Sequence, residues 1–201
     1  MRLGLIGPAN DADELLERAV RFLSREHSVH RAVYLGLDSA LERVVGALAS
    51  RAVGDDPNVS AVWQRAALRC SQASPPELDQ FLEAERERLS LMVFGALPGA
   101  DTRLVELLNG KVAVMIHDKG LLDEDDIASA TYLVFGKSQE PMVKPIGSRW
   151  FLSPGPLDAF GIMLLEDGPG GVELSLFDNE CRLARRQRLV SQASARLKVQ
   201  A

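Results

Sequence analysis

The first 36 residues narrow the fold more than any other stretch. Met1 to Ile6 is a short apolar run broken by Gly7-Pro8, the pattern of a buried strand that ends in a loop. Leu15, Leu16, Ala19, Val20 and Leu23 then recur at helical spacing. They predict an amphipathic helix over about 13–26, with Asp11 or Asp13 as its cap. Ala32 to Leu35 reads as a second buried strand, closed by Gly36. Strand, helix and strand in so short a stretch form a βαβ unit, and its two strands run parallel.

The pattern then becomes helical. Residues 39–53 are rich in Ala and Leu, and Asp56-Pro57 starts a further helix with Val59, Val62, Ala66 and Ala67 on its apolar side. Ser74-Pro75-Pro76-Glu77 has capping-box spacing and leads into Leu78, Phe81, Leu82 and Leu89. An all-helical insertion over about 46–89 is therefore expected within an α/β frame. Trp63, Phe81 and Leu82 are its candidate interaction face, against the plainer reading that they bury against the body.

The frame resumes with a strand at Leu91–Phe94 and a helix at Asp101–Leu108, stopped by Asn109-Gly110. A strand at Val112–His117, a short helix at Asp123–Ala128 and a strand at Leu133–Phe135 follow. Met142–Ile146, Arg149–Leu152, Phe160–Leu165 and Val172–Phe177 alternate with Gly-containing turns and read as hairpins. Asp178 onward reads as helical again, through Leu183, Leu189, Val190 and Leu197. The sum is an α/β chain of two packed mixed sheets flanked by helices. A single domain over 1–178 carries the helical insertion, and a basic helical tail covers 179–201.

Composition excludes several classes. At 201 residues the chain suits one domain. A net charge of −5 disfavours coating nucleic acid, which needs a basic surface. That charge is divided unevenly: residues 181–201 carry six basic and no acidic side chains, which leaves −11 on residues 1–180. Cys70 and Cys181 stand far apart, so no disulfide framework or CxxC site is available. No charged-then-apolar leader pattern opens the chain and no apolar run reaches 18 residues. No transmembrane segment is expected, and a cytoplasmic location is. Only three histidines occur, His27, His30 and His117.

The order of motifs resembles the calcineurin-like metallophosphoesterases, in their small single-domain phosphodiesterase branch. MRLGLIGPAND resembles their opening strand and loop, which supplies an Asp-x-His metal pair. Ala32-Val33-Tyr34-Leu35-Gly36-Leu37 resembles the second motif, an apolar run before Gly-Asp. Val112–His117 resembles the strand that ends in a ligand His. Ala130 to Gln139 resembles the strand that ends in Gly-His-Thr-His, and Ser153-Pro154-Gly155-Pro156 the Asn-Pro-Gly-Ser turn. The resemblance covers about 1–45 and 91–178. It implies a metallophosphoesterase-like four-layer sandwich and, in family members with intact motifs, two divalent metals that activate water and clamp phosphoryl oxygens.

The ligands themselves depart from the motifs. The first-motif Asp falls on Pro8 and its His on Asn10. The bridging Asp falls on Leu37, and the last two His fall on Lys137 and Gln139. The Asn of the third motif has no counterpart near Gly95-Ala96-Leu97-Pro98. His117 alone keeps a ligand-type side chain, and a lone His at a strand end is expected to bond to backbone. The resemblance thus implies a pseudoenzyme: the fold without its metal, with no catalytic residue and no cofactor. It implies a protein-interaction or scaffolding module with a protein partner, and homodimerisation is plausible. The precedent is the retromer scaffold subunit, which shares this fold. One alternative is a divergent phosphodiesterase or phosphatase using manganese, with ligands rebuilt from Asp11, Asp38 and His117. Another is a sensor of phosphate esters or nucleotides, with Lys137 and Arg149 replacing metal charge. The acidic run Asp123-Glu124-Asp125-Asp126 lacks calcium-loop spacing and is explained as a helix first turn.

Overall fold

A computed structural model describes residues 1–54 and 56–190. In chain order the strands are β1 (Arg2–Ile6), β2 (Arg31–Tyr34), β3 (Phe94–Ala96), β4 (Leu104–Leu108), β5 (Lys111–Ile116), β6 (Tyr132–Phe135), β7 (Met142–Ile146), β8 (Arg149–Ser153), β9 (Ile162–Gly168), β10 (Gly171–Phe177) and β11 (Leu183–Leu189). The helices are α1 (Asp13–Arg25), α2 (Ala40–Val53), α3 (Val62–Gln72), α4 (Pro75–Leu91) and α5 (Glu124–Ser129). A six-stranded sheet has the order β11-β10-β9-β1-β2-β3, and a five-stranded sheet the order β4-β5-β6-β8-β7. β1, β2 and β3 run parallel, as do β5, β6 and β8.

The alternation of side chains on β1 sorts the layers. Leu3 and Leu5 join Val33, Leu35, Met115, Val134 and Leu152 between the two sheets. Ile6 joins Leu16, Val20, Leu23, Leu41 and Leu48 between the six-stranded sheet and the helices. A smaller cluster of Val114, Ala130 and Leu133 lies on the outer face of the five-stranded sheet, with Ile127 of α5 packed on it. Helices, sheet, sheet and helix make the expected four layers. Each fully buried Leu or Ile in them contributes about 1.5–3 kcal/mol. Among the described residues, no helix is long and apolar enough to cross a membrane.

The helix expected from Asp56-Pro57 starts later, with a single tight turn at Val59–Ala61 and then α3, and three further segments differ from the sequence reading. The first is 101–108, where a strand replaces the expected helix: Asn109 and Gly110 both have positive φ, 49° and 68°, and form the two-residue turn of the β4–β5 hairpin. Leu-Val-Glu-Leu-Leu follows a period of two there. The second is the basic tail over 179–201, which does not begin as a helix. Asp178 accepts from the backbone N–H of Glu180 and Arg182, Cys181 takes φ 63°, and the chain turns back so that β11 pairs antiparallel with β10. Arg186 meets Glu173 across the strands at 3.2 Å, which rewards a strand with cross-strand charge pairing. Residues 191–201 of that tail lie outside the described residues. The third is the strand expected at Leu91–Phe94, because α4 runs through Leu91 and β3 starts at Phe94. Asp11 also does not cap α1. It takes φ 67°, and no side-chain cap bond forms there.

The helical segment, expected over about 46–89, occupies the whole crossover between the neighbouring parallel strands β2 and β3. Its outer helix α3 is held by buried charge. Glu85 of α4 is 8% exposed and accepts from Arg65 of α3 and from Arg88, each at 2.6 Å. Arg65 and Arg88 also donate to the carbonyls of Asp56 and Pro57. Burial pushes the Glu85 carboxyl up, but the two guanidiniums outweigh it and hold the group below the usual range. Breaking a buried ion pair on one side costs about 3–5 kcal/mol. Glu85→Gln is therefore expected to release α3, read as faster amide exchange over 62–72 with little change in the sheets. Because the folded value is depressed, the Glu85 contribution is complete above an unfolded pKa of about 4.3. It is lost as pH falls through the folded value. Acid should free α3 in the parent but not further in the variant.

Candidate functional site

The carboxyl ends of β1, β2, β5 and β6 meet at one end of the two sheets, and close backbone approach fixes how they meet. A Cβ on Gly136 would strike the carbonyl of Leu35, and one on Gly7 would strike the carbonyl of Gly155. The same Leu35 carbonyl lies 2.8 Å from Nδ1 of His117. A carbonyl only accepts, so the ring proton sits on Nδ1, and Nε2 keeps its lone pair in the neutral ring. The His117 carbonyl in turn accepts from the N–H of Gly136 at 3.0 Å and of Lys137 at 2.7 Å. One histidine thus ties together the loops after β2, β5 and β6.

Around that knot lies a cleft of about 690 Å³ lined by Pro8, Asn10, His117, Lys137 and Gln139, together with Lys119 and Glu140. Five of the six positions picked out by motif order come together. The sixth, Leu37, is 46% exposed and is not in the lining. Lys137 Nζ reaches Asp118 Oδ2 at 2.5 Å. That ammonium, with a second bond from the N–H of Gly120, holds the Asp118 carboxyl below its usual range. Lys119 Nζ sits 5.2 Å from the centre of the Phe135 ring, a cation–π distance.

Tyr34 is the site residue that motif order passes over. Its ring is buried, and its hydroxyl accepts from the N–H of Ala9 and donates to Asp38 Oδ1, each at 2.9 Å. Asp38 also accepts from the N–H of Ala40 at 3.1 Å. Burial pushes the Tyr34 hydroxyl well above its ordinary value, so it stays protonated and keeps donating. A Cβ on Gly36 would strike the same ring. The Tyr34–Asp38 spacing of four is visible in the sequence, but nothing there joins Tyr34 to Ala9.

The residues present do not fit a divalent metal pair. Among the described residues, no group of three or more His, Cys, Asp or Glu could hold a metal ion. Asp11, Asp38 and His117 are not gathered into a site. Asp38 serves Tyr34 and α2, and Asp118 serves Lys137. What lines the cleft is one imidazole, the amides of Asn10 and Gln139, the Ser138 hydroxyl, one carboxylate and two ammonium groups. Arg149 is not in the lining and donates to the carbonyls of Ile127 and Ala128 at the end of α5. His27 lies outside the cleft, half-buried, with its ring 4.7 Å from that of Phe22.

The candidate interaction residues lie elsewhere, on the helical layer. Trp63 on α3 is 81% exposed and Leu82 on α4 is also exposed. Phe81 is half-buried and faces a hollow between α2, α3 and α4, beside Leu68 and Arg69.

The hydroxyl of Tyr34 gives a direct test of how the first loop is held. Tyr34→Phe leaves the buried Ala9 N–H without its acceptor, and an unpaired buried donor costs about 1–3 kcal/mol. The expected result is a lower urea midpoint with an unchanged slope, and faster exchange at the Ala9 amide.

No family model and no curated protein matches the chain. Solved structures do. A single mutant of Vps29 from Entamoeba histolytica is similar at 12% identity, over 94% of this chain and 99% of that one, with a TM-score of 0.54. A conserved protein of Streptococcus pneumoniae, named as a predicted phosphoesterase, matches at 11% identity over 94% and 98%, with a TM-score of 0.51. A novel archaeal phosphodiesterase matches at 11% identity over 88% and 100%, with a TM-score of 0.50. These likenesses show the fold: the chain has the two-sheet architecture of the calcineurin-like metallophosphoesterases.

Proposed function

We propose that this chain is a binding module on the metallophosphoesterase frame, which acts through a protein partner and not through phosphoester hydrolysis. In this reading it needs no metal or cofactor, and its setting is the cytoplasm. The observation that carries the reading is the donor set at the strand ends. Metal-assisted hydrolysis needs a bridging carboxylate and imidazoles to hold two divalent ions. Here those positions are Pro8, Asn10, Leu37, Lys137 and Gln139. The ammonium of Lys137 repels a cation, and the carboxylate next to His117 is already paired with it. The exposed Trp63 supports a partner-facing role, since tryptophan is enriched where binding energy concentrates.

The test is metal content and turnover together. Protein purified without chelator should carry near-zero manganese, iron or zinc. With millimolar manganese and a chromogenic phosphodiester it should give no rate above buffer. A rate abolished both by EDTA and by His117→Ala would overturn the reading.

A second reading takes a small anion as the ligand. The cleft volume of about 690 Å³ falls in the range of small-molecule sites, about 300–1,000 Å³, and Lys119 and Lys137 line it. A thermal shift with nucleotides or phosphate esters, lost in Lys137→Ala, would favour it. Absence of a shift with every such compound would count against it.

A further inference from the structure

Among the described residues two sheets leave four edges, and one of them, β4, is the least guarded. β11 closes its end of the six-stranded sheet with Arg185, Arg186 and Arg188. β3 closes the other end with only three residues, Gly95 among them. β7 closes the five-stranded sheet with Lys144 and Pro145. Charge, brevity and proline are how native edges refuse another strand. β4 has no proline and no lysine or arginine, and its one charge, Glu106, lies on the inner face, where Arg31 neutralises it. Its five residues, Leu104-Val105-Glu106-Leu107-Leu108, hold an unbroken register with β5. Among the described residues, no strand pairs on its outer side.

Side chains and backbone point the same way. Val105 is 56% and Leu107 61% exposed. They lie opposite Val114 and Val112 and carry that outer apolar face into solvent. Because Asn109-Gly110 forms a two-residue turn, Leu108 and Lys111 are a hydrogen-bonded pair. The alternation along an antiparallel pair then turns the N–H and C=O of Leu104 and Glu106 toward β5. It turns those of Val105 and Leu107 outward.

The order of these residues selects the occupant. Read from either end, β4 is apolar, apolar, acidic, apolar, apolar. We propose that β4 pairs antiparallel with β4 of a second copy of this chain, about a two-fold axis at Glu106, and joins two five-stranded sheets into one. In that register Val105 lies opposite Leu107 of the second copy, and their outward N–H and C=O groups satisfy each other. Leu104 lies opposite Leu108. The one like-charged contact is Glu106 against Glu106, and each carboxylate is held by its own Arg31 at 2.9 Å on the inner face. A two-fold interface requires this self-complementarity. An extended peptide from another protein would use the same backbone groups but would not need the palindrome.

Light scattering and amide exchange test the pairing. The protein should show twice its 21.9 kDa mass at high concentration and return to the single mass on dilution. Val105→Pro removes an outward N–H and leaves every bond to β5 in place. Leu107→Lys sets an ammonium in the apolar pairing. Both variants should have half the parent's mass at concentrations where the parent is paired, with thermal unfolding close to the parent. Should either variant fail to fold, the parent still decides. Protection at the Val105 and Leu107 amides should rise with concentration, while protection at Leu104, Glu106 and Leu108 should not. A single-chain mass at every concentration overturns the proposal. So does a double mass retained by both variants, or exchange at Val105 and Leu107 that ignores concentration. None of these residues lines the cleft, so the outcome is separate from the reading of the cleft.

Discussion

The contact between the Leu35 carbonyl and the His117 ring sets the geometry of the cleft. Two sheets packed face to face share an apolar interior, and that interior is non-directional: it brings the sheets together without fixing their relative slide. A hydrogen bond of 2.8 Å between the end of β2 in one sheet and the end of β5 in the other does fix it. Gly136, seated against the same carbonyl, sets the distance, because any side chain there would push the sheets apart. The loops that line the cleft start from these points.

Where a metal pair would draw strand-end loops together by coordination, this chain uses bonds of its own side chains. Tyr34 braces the first loop through Ala9 and the second through Asp38. Lys137 braces the loop after β6 to Asp118 after β5. His117 holds the middle. Two of these braces occupy carboxylates, since Asp38 and Asp118 are bound to protein donors. The third orients an imidazole: Nδ1 of His117 is bound to a carbonyl, which turns the Nε2 lone pair away from it. The strand-end loops are thus held together by the chain's own side chains.

Much of the frame was legible because buried strands and amphipathic helices write their period directly. The βαβ opening and the β7–β8 and β9–β10 hairpins follow from runs of apolar residues and the breakers after them. The grouping of Pro8, Asn10, His117, Lys137 and Gln139 was legible only through the resemblance of their motifs to a known family. The misread segments share a cause. Asn109-Gly110 is both a helix stop and a hairpin turn, and only the partner strand decides between them. Leu104 to Leu108 is short enough to satisfy either period. Leu183 and Leu189 fall on opposite faces of β11, because the pairing with β10 shifts register between them, and such a bulge hides the period of two from the sequence. Cross-strand partners such as Glu173 for Arg186 carry no local signal. Tyr34 was invisible as a brace for the same reason, since its acceptor role depends on a loop 25 residues away.

The uneven charge has a structural meaning once β11 is placed. An acidic body and a basic tail look like two parts that differ in partner. In the fold, part of the basic segment is the edge strand of the acidic body, with Arg186 set against Glu173 and Arg182 against Glu180. Arginine at an edge also keeps that edge closed to a second strand, since a row of like charges opposes its own copy. Of the four sheet edges, β11 is the most basic and β4 the most apolar. The pairing proposed for a second copy uses the apolar one, where no row of like charges opposes it.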